Sequence, residues 1–188
     1  MTSGRDSDFV SRGGVKLAHA LSLFEISPAD LVCADLGSST GGFVDCLLRG
    51  GASKVYAVER GYGVLDYRVR REPRVVVMER TDALSVHLPE PVDLVTIDVG
   101  WTRQARILPV ARRLLRAGGR IVTLVKPHYE AEASALCEGV LPEDRVEAVV
   151  AAVRGRMGGL GLALLGEEES PIRGSGGNRE VLWHLEPA

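Results

Sequence analysis

Leu17, Ala20, Leu21 and Phe24 fall on one face at helical spacing, so residues 14–24 are predicted to form an amphipathic helix. Beyond it, short apolar runs alternate with further helical patterns. Leu31–Leu36, Lys54–Glu59, Arg74–Met78, Val92–Asp98 and Arg120–Lys126 read as strands, the first as a buried one. Between them Gly41–Arg49 reads as a helix with Thr40 as its N-cap, and Val64–Arg71 as another. Leu108–Arg116 reads as a third, stopped by Gly118 and Gly119, and Pro127 ends the fifth strand. A last helix opens on Pro142, with Glu143 and Asp144 in its first turn and Val146, Val149, Val150, Val153 and Met157 on its apolar face. Two final strands, 160–169 and 179–186, are separated only by the turn-rich SPIRGSGGN. That segment has no room for a crossover helix, so the two strands pair antiparallel. A succession of βα units specifies an α/β, Rossmann-like, doubly wound sheet that is mostly parallel, with ligands at the carboxyl ends of its strands. Residues 1–13 are expected to form an arm and residues 14–188 a single domain.

The 188 residues suit one domain with a full core, since 45% are hydrophobic and 26% charged. The longest apolar stretches are too short to cross a bilayer, and the start MTSGRDSDF has no secretory pattern. Cys33, Cys46 and Cys137 are odd in number and widely spaced, which fits reduced thiols in a cytoplasmic protein. The four histidines show no ligand spacing, so no metal is expected. A formal charge of −2 argues against a broadly basic nucleic-acid binder and leaves room for a local rim of Arg5, Arg12, Lys16, Arg173 and Arg179.

The chemistry concentrates after the first strand. Asp35, Gly37, Ser38, Thr40, Gly41 and Gly42 form a glycine-rich loop that opens a helix, where backbone can approach a ligand and a negative group is favoured. The spacing is not G-x-G-x-x-G, which weakens a dinucleotide reading. An acid two residues before the first glycine suits a cofactor with an amino-acid end. Glu59, followed by Arg60, closes the second strand where an acid would take ribose hydroxyls, and Asp82 after the third could face an adenine edge. Taken singly these acids could be a cap, a surface charge and a turn residue. Together, in order at successive strand ends, they fit S-adenosylmethionine best.

Basic residues add a second signal. Of 23 Lys and Arg only Lys16, Lys54 and Lys126 are lysine. An amine, unlike a guanidinium, can give up its proton and act as a compact point charge. Lys126 and Asp98 sit at neighbouring strand ends, where they are costly to bury unless paired. Lys16 borders the apolar face of the first helix, and Glu180 begins the last strand. Trp101, His128, Tyr129, Arg12 and Arg179 are candidates for contacting the substrate. Trp101 reads either as a stacking platform or as a core residue.

The stretches VSRGGVKL (10–17), ADLGSSTGGFVDCLLRGGASKVYAVERGYG (34–63), VDLVTIDV (92–99), LVKPHYEA (124–131) and SPIRGSGGNREVLWHL (170–185) resemble the TlyA/hemolysin A branch of the FtsJ-like RNA methyltransferases. The resemblance covers nearly the whole chain. It implies a seven-stranded methyltransferase fold with S-adenosylmethionine as cofactor. It also implies a Lys-Asp-Lys-Glu tetrad for ribose 2′-O-methylation of ribosomal RNA, falling on Lys16, Asp98, Lys126 and Glu180. The cofactor loop then falls on Asp35, Gly37, Ser38 and Gly41, with Glu59 at the ribose position. Three departures touch substrate binding. The family usually carries a small RNA-binding domain before the VSRGG segment, so a partner supplying RNA affinity is one expectation. The family's DVSFIS gives way here to Asp98-Val99-Gly100-Trp101-Thr102, and its basic glycine-rich loop to a shorter, acidic one with Glu130, Glu132 and Glu138. A small-molecule O-methyltransferase and a non-catalytic binding module on the same fold are the alternatives. The role of Lys126 is open in the sequence. Burial would help it lose its proton and act as a general base, whereas nearby acids would keep it charged to stabilise a forming alkoxide.

Overall fold

The computed structural model describes residues 9–188. Arg5 and most of the expected arm lie outside the described residues. Seven strands form one sheet: β1 (Val32–Leu36), β2 (Lys54–Val58), β3 (Val75–Met78), β4 (Val92–Ile97), β5 (Leu115–Val125), β6 (Leu162–Glu169) and β7 (Val181–Pro187). Their order is β3-β2-β1-β4-β5-β7-β6. The first five run parallel, and β7 inserts antiparallel between β5 and β6. The sheet is therefore mostly parallel with a C-terminal antiparallel pair, as the pattern specifies.

Alternate strand residues feed two cores. Cys33, Val55, Ala57, Leu94 and Leu182 pack under α1 (Gly13–Leu23) and α2 (Gly42–Arg49). Ala34, Tyr56, Val58, Val95 and Trp183 pack under α4 (Gln104–Leu114) and α6 (Glu143–Arg154) on the opposite face. The period-2 alternation of a two-sided sheet puts both sets out of water.

Four helix readings need correction. Thr40 does not cap α2; Gly41 does, at φ +97°, a left-handed conformation that glycine adopts without strain because it has no Cβ. The Val64–Arg71 helix shrinks to one turn, α3 (Tyr67–Arg70), because Glu79 takes the N–H groups of Gly63 and Val64 and Asp66 caps from its own extended backbone. Helix α4 starts at Gln104 rather than Leu108 and carries Pro109 inside. Burial of Ile107 and Leu108 outweighs the hydrogen bond lost at proline, the buried Gln104 amide is satisfied by Thr123 and the Leu124 carbonyl, and Glu130 accepts the Gln104 N–H at 2.6 Å. The helix also ends at Leu114, before the glycines. Leu115 already pairs with Val92, and a register shift before Arg120 absorbs the intervening residues. Lys126 lies just past β5, where Pro127 opens a one-turn helix, α5 (Pro127–Glu130).

The strand order reverses between β1 and β4, and in open α/β sheets that is where ligands sit. Asp35, Asp98 and Lys126 all reach this edge from adjacent strands. The antiparallel β7 begins at the same edge, with Val181 opposite Val125, and so delivers Glu180 there too.

Candidate active site

Two cavities meet at this edge. The smaller, about 270 Å³, is lined by Arg12, Lys16, Asp35, Asp98, Lys126 and Glu180, among others. The larger, about 990 Å³, runs past Glu59, Arg60, Asp82 and Trp101. Gly37, Ser39, Asp98, Lys126 and Tyr129 belong to both walls.

The charged groups are paired across the smaller cavity. Lys126 Nζ lies 2.5 Å from Asp98 Oδ1. Lys16 Nζ donates to Glu180 Oε2, and both residues are buried. Glycines hold this second pair in place. A Cβ on Gly174 would fall 2.3 Å from Glu180 Oε1, so the carboxylate rests against bare backbone. A Cβ on Gly42 would fall 2.2 Å from Ser11 Oγ and 2.8 Å from the Gly14 nitrogen. Ser11 can rotate, but the backbone at the start of α1 can only move, and Lys16 would move with it. Gly42→Ala should therefore lose about 1–3 kcal/mol in a urea titration through overpacking. It should also lower methyl transfer by more than that stability loss explains, and unchanged turnover would remove Gly42 as the support of Lys16.

The loop after β1 is built for close approach. Gly37 has φ +87°, and a Cβ there would fall 2.8 Å from the Asp98 carbonyl oxygen. The backbone N–H groups of Gly37 and Ser38 donate to the Val58 carbonyl, and Ser39 N–H donates to Glu59 Oε2 at 2.9 Å. Glu59 Oε1 accepts the Gly61 N–H at 2.6 Å, so one carboxylate ties the glycine loop to the loop after β2. Gly41 stands behind the loop, where a Cβ would meet Leu65 at 2.9 Å. Asp82 both caps a short turn, accepting the Leu84 N–H at 2.9 Å, and lines the larger cavity.

Asp35 is fully buried. The Thr96 hydroxyl, its register neighbour on β4, donates to Oδ1 at 2.7 Å, and Oδ2 has no partner. Burial pushes this carboxyl up to about 7 against the pull of the Thr96 and Ser38 hydroxyls, with the charges of Asp98 and Glu59 adding to the rise. An unpartnered buried carboxylate oxygen in a cavity wall suits a ligand ammonium. The donor set thus fits a nucleoside with an amino-acid end: Asp35 for the amino group, Glu59 and Asp82 along the nucleoside.

A pH dependence follows. In the unfolded chain Asp35 titrates near 4. Between about pH 4 and pH 7 the folded chain holds a proton that the unfolded chain has lost, so stability falls as pH rises through that window and levels off above it. The full span corresponds to about 4 kcal/mol. Denaturation of the ligand-free protein at pH 5 and pH 8 should show this loss, and Asp35→Asn should largely abolish it. An equal loss in the variant would assign the slope to another group.

Not every sequence-derived candidate joins the cavities. Arg179 and Arg173 do not extend the rim. Glu143 takes both guanidiniums and Glu169 takes Arg179 as well, so α6 and β6 neutralise them. Trp101 is no core residue. It is 87% exposed at φ +51°, in the wall of the larger cavity, with its ring 5.7 Å from that of Tyr129. His128 lines the smaller cavity, held towards its neutral form by burial and then by the charge of Lys126. Ser11, Phe43 and Arg106 also line the walls. Ser11 had a signal in the SRGG segment, but Arg106 had none, because its helix starts earlier than the pattern indicates.

A family model described as FtsJ-like methyltransferase matches residues 9–186. The chain is 40% identical over 183 residues to the 16S/23S rRNA (cytidine-2′-O)-methyltransferase TlyA of Mycobacterium tuberculosis, covering 93% of this chain and 68% of that one. It is 35% identical over 183 residues to Hemolysin A of Brachyspira hyodysenteriae, covering 94% and 76%. A solved hemolysin-type structure from Streptococcus thermophilus superposes with a TM-score of 0.94 at 36% identity, covering 99% of this chain and 70% of that chain. Aeropyrum pernix fibrillarin, solved with bound S-adenosyl-L-methionine, shares the fold at a TM-score of 0.63 and 20% identity, covering 90% and 72%. With the match running across both cavities and every strand, this chain belongs to the FtsJ-like methyltransferase family and is an S-adenosylmethionine-dependent methyltransferase.

Proposed function

We propose that this protein methylates a ribose 2′-hydroxyl of ribosomal RNA. The observation that carries the reading is the convergence of two Lys–carboxylate pairs, Lys126–Asp98 and Lys16–Glu180, on one cavity that opens into a second with nucleoside-binding chemistry. Identity to a cytidine-2′-O-methyltransferase over most of the chain supports the acceptor class. A cytoplasmic location goes with that substrate.

S-adenosylmethionine, when bound, supplies an electrophilic methyl group. The task left to the protein is to hold the acceptor hydroxyl in line and manage its proton. Asp35 orients the amino-acid end, and Glu59, Arg60 and Asp82 hold the nucleoside. Lys126 meets the acceptor oxygen, with Asp98 fixing the amine. Lys126 either takes the proton or, still charged, steadies the alkoxide, and both roles need an amine at that point. Lys16 and Glu180 close the far side. Trp101 and Tyr129 offer ring faces on which an unstacked base can rest, with Arg12 and His128 in the wall of the smaller cavity.

The test is labelled methyl transfer to ribosomal subunits, naked ribosomal RNA and a cell metabolite extract side by side, with nuclease digestion to locate the label. A 2′-O-methyl nucleoside from the RNA arms is expected. Label confined to the extract would make the protein a small-molecule methyltransferase.

A further inference from the structure

Beyond the cavity walls, one stretch of surface combines exposed rings with arginines that no carboxylate neutralises. Tyr62 is 70% exposed and Tyr67 66%, so neither ring is spent on the core. The Arg80 guanidinium lies 4.3 Å from the Tyr62 ring centroid. The Arg71 guanidinium lies 5.3 Å from that of Tyr67 and donates to its phenol oxygen at 2.9 Å. The other arginines of the segment are taken: Arg68 by Asp66, Arg70 by Glu79 and Arg74 by Glu72. Arg60, Arg71 and Arg80 have no carboxylate partner among the described residues.

The patch is held against the cavity edge, its Tyr67 end by the Asp66 N–H donating at 3.0 Å to the carbonyl of Thr40 in the wall of the smaller cavity, its Tyr62 end by the larger. Arg80 N–H donates to the Gly61 carbonyl at 3.1 Å and Thr81 N–H to that of Glu59 at 3.0 Å. Arg60, Gly61 and Thr81 are themselves cavity wall, as are Trp101 and Arg106. A strand of nucleic acid whose reacting nucleotide enters past Trp101 can thus run along a surface carrying the Tyr62–Arg80 and Tyr67–Arg71 stacks. A guanidinium lying over a ring keeps N–H groups for phosphate (for Arg71, those not given to the Tyr67 phenol), and the ring contact restricts its motion before a ligand arrives. The exposed ring offers a face to a base of any identity.

We infer that Tyr62–Arg80 and Tyr67–Arg71, together with Arg60 of the cavity wall, form a docking surface for single-stranded acceptor RNA flanking the methylated nucleotide. The inference rests on the ribosomal RNA reading above. The surface supplies affinity that does not depend on base identity, which a chain of net charge −2 can only gather locally.

The experiment compares the unaltered protein with Arg71→Ala/Arg80→Ala and Tyr62→Ala/Tyr67→Ala, using purified ribosomal RNA and following methyl transfer and RNA binding from low to moderate salt. Each arginine removed should lower the log–log salt slope by about 1. The RNA KM should rise roughly 10–100-fold in either double variant, while kcat at saturating RNA, cofactor affinity and Tm stay put. Arg71→Lys/Arg80→Lys should keep the slope and lose part of the affinity. If the unaltered protein binds RNA and the variants match it in KM and slope, the patch is not an RNA surface and suits a protein partner instead. If the unaltered protein neither binds nor methylates RNA, the reading beneath the inference fails, and the inference with it.

Discussion

Lys126→Arg is expected to abolish methyl transfer while leaving cofactor binding in place. Charge is conserved in this exchange, so any loss reports on the amine itself. Lys126 Nζ sits 2.5 Å from Asp98 at the junction of the two cavities, with little exposure. A guanidinium cannot give up its proton at neutral pH and so cannot serve as base. Its planar fork also spreads the charge over a longer reach and displaces the point that faces the acceptor oxygen. General acid–base help is worth about 10²–10⁴-fold, and misplacing the acceptor adds to the loss. Single-turnover transfer should fall by at least about 10²-fold. Titration of the variant with S-adenosylmethionine should give an affinity within a few-fold of the unaltered protein, because Asp35, Glu59 and Asp82 are untouched. Full activity in Lys126→Arg would remove Lys126 from the chemistry and leave the Asp98 contact as a structural salt bridge.

The same residue marks where sequence reasoning reaches. The strands were legible because each is a short apolar run with a glycine, proline or acid at its end, and the chemistry sits at those ends. Asp35, Glu59, Asp98 and Lys126 could be placed on one edge from the βα alternation alone. Glu180 needed the further step that β7 runs antiparallel, which the turn-rich SPIRGSGGN allowed. What failed depended on neighbours distant in sequence. Glu79 shortens α3 by taking N–H groups 16 and 15 residues back, and Glu130 caps α4 from 26 residues away. Arg179 looked like a free cation because the acids that neutralise it, Glu143 and Glu169, come from α6 and β6. Trp101 could be core or surface by composition, and only its positive φ and exposure decide it. Of the three lysines, Lys54 pairs with Glu90 at 2.6 Å on the far side of the sheet from this edge, a contact that needs only a positive charge. The other two line one cavity, each against its own carboxylate.

The Lys16–Glu180 pair allows a sharper separation of fold from chemistry. Both side chains are nearly out of water, 11% and 4% exposed, and they join α1 to the start of β7, segments 164 residues apart. Lys16→Met alone leaves Glu180 buried beside Gly174 without its counter-charge. Stranding one member of a buried pair costs about 3–5 kcal/mol. At about 2–4 °C per kcal/mol for a chain of this size, Tm should fall by roughly 6–20 °C. Lys16→Met/Glu180→Met replaces both charges with unbranched apolar side chains of similar reach. Such replacements are often neutral or stabilising, so most of the lost Tm should return. Methyl transfer should not return. A pair that served only to bridge α1 and β7 would give back activity together with stability, since the apolar contact does the same bridging. A pair that shapes the acceptor side of the cavity would give back stability alone. The double-mutant cycle therefore reads two coupling energies from one set of four proteins. A large coupling in Tm with activity absent from all three variants is the outcome that places Lys16 and Glu180 in the chemistry. Recovery of activity in the double variant would reduce the tetrad to Lys126 and Asp98.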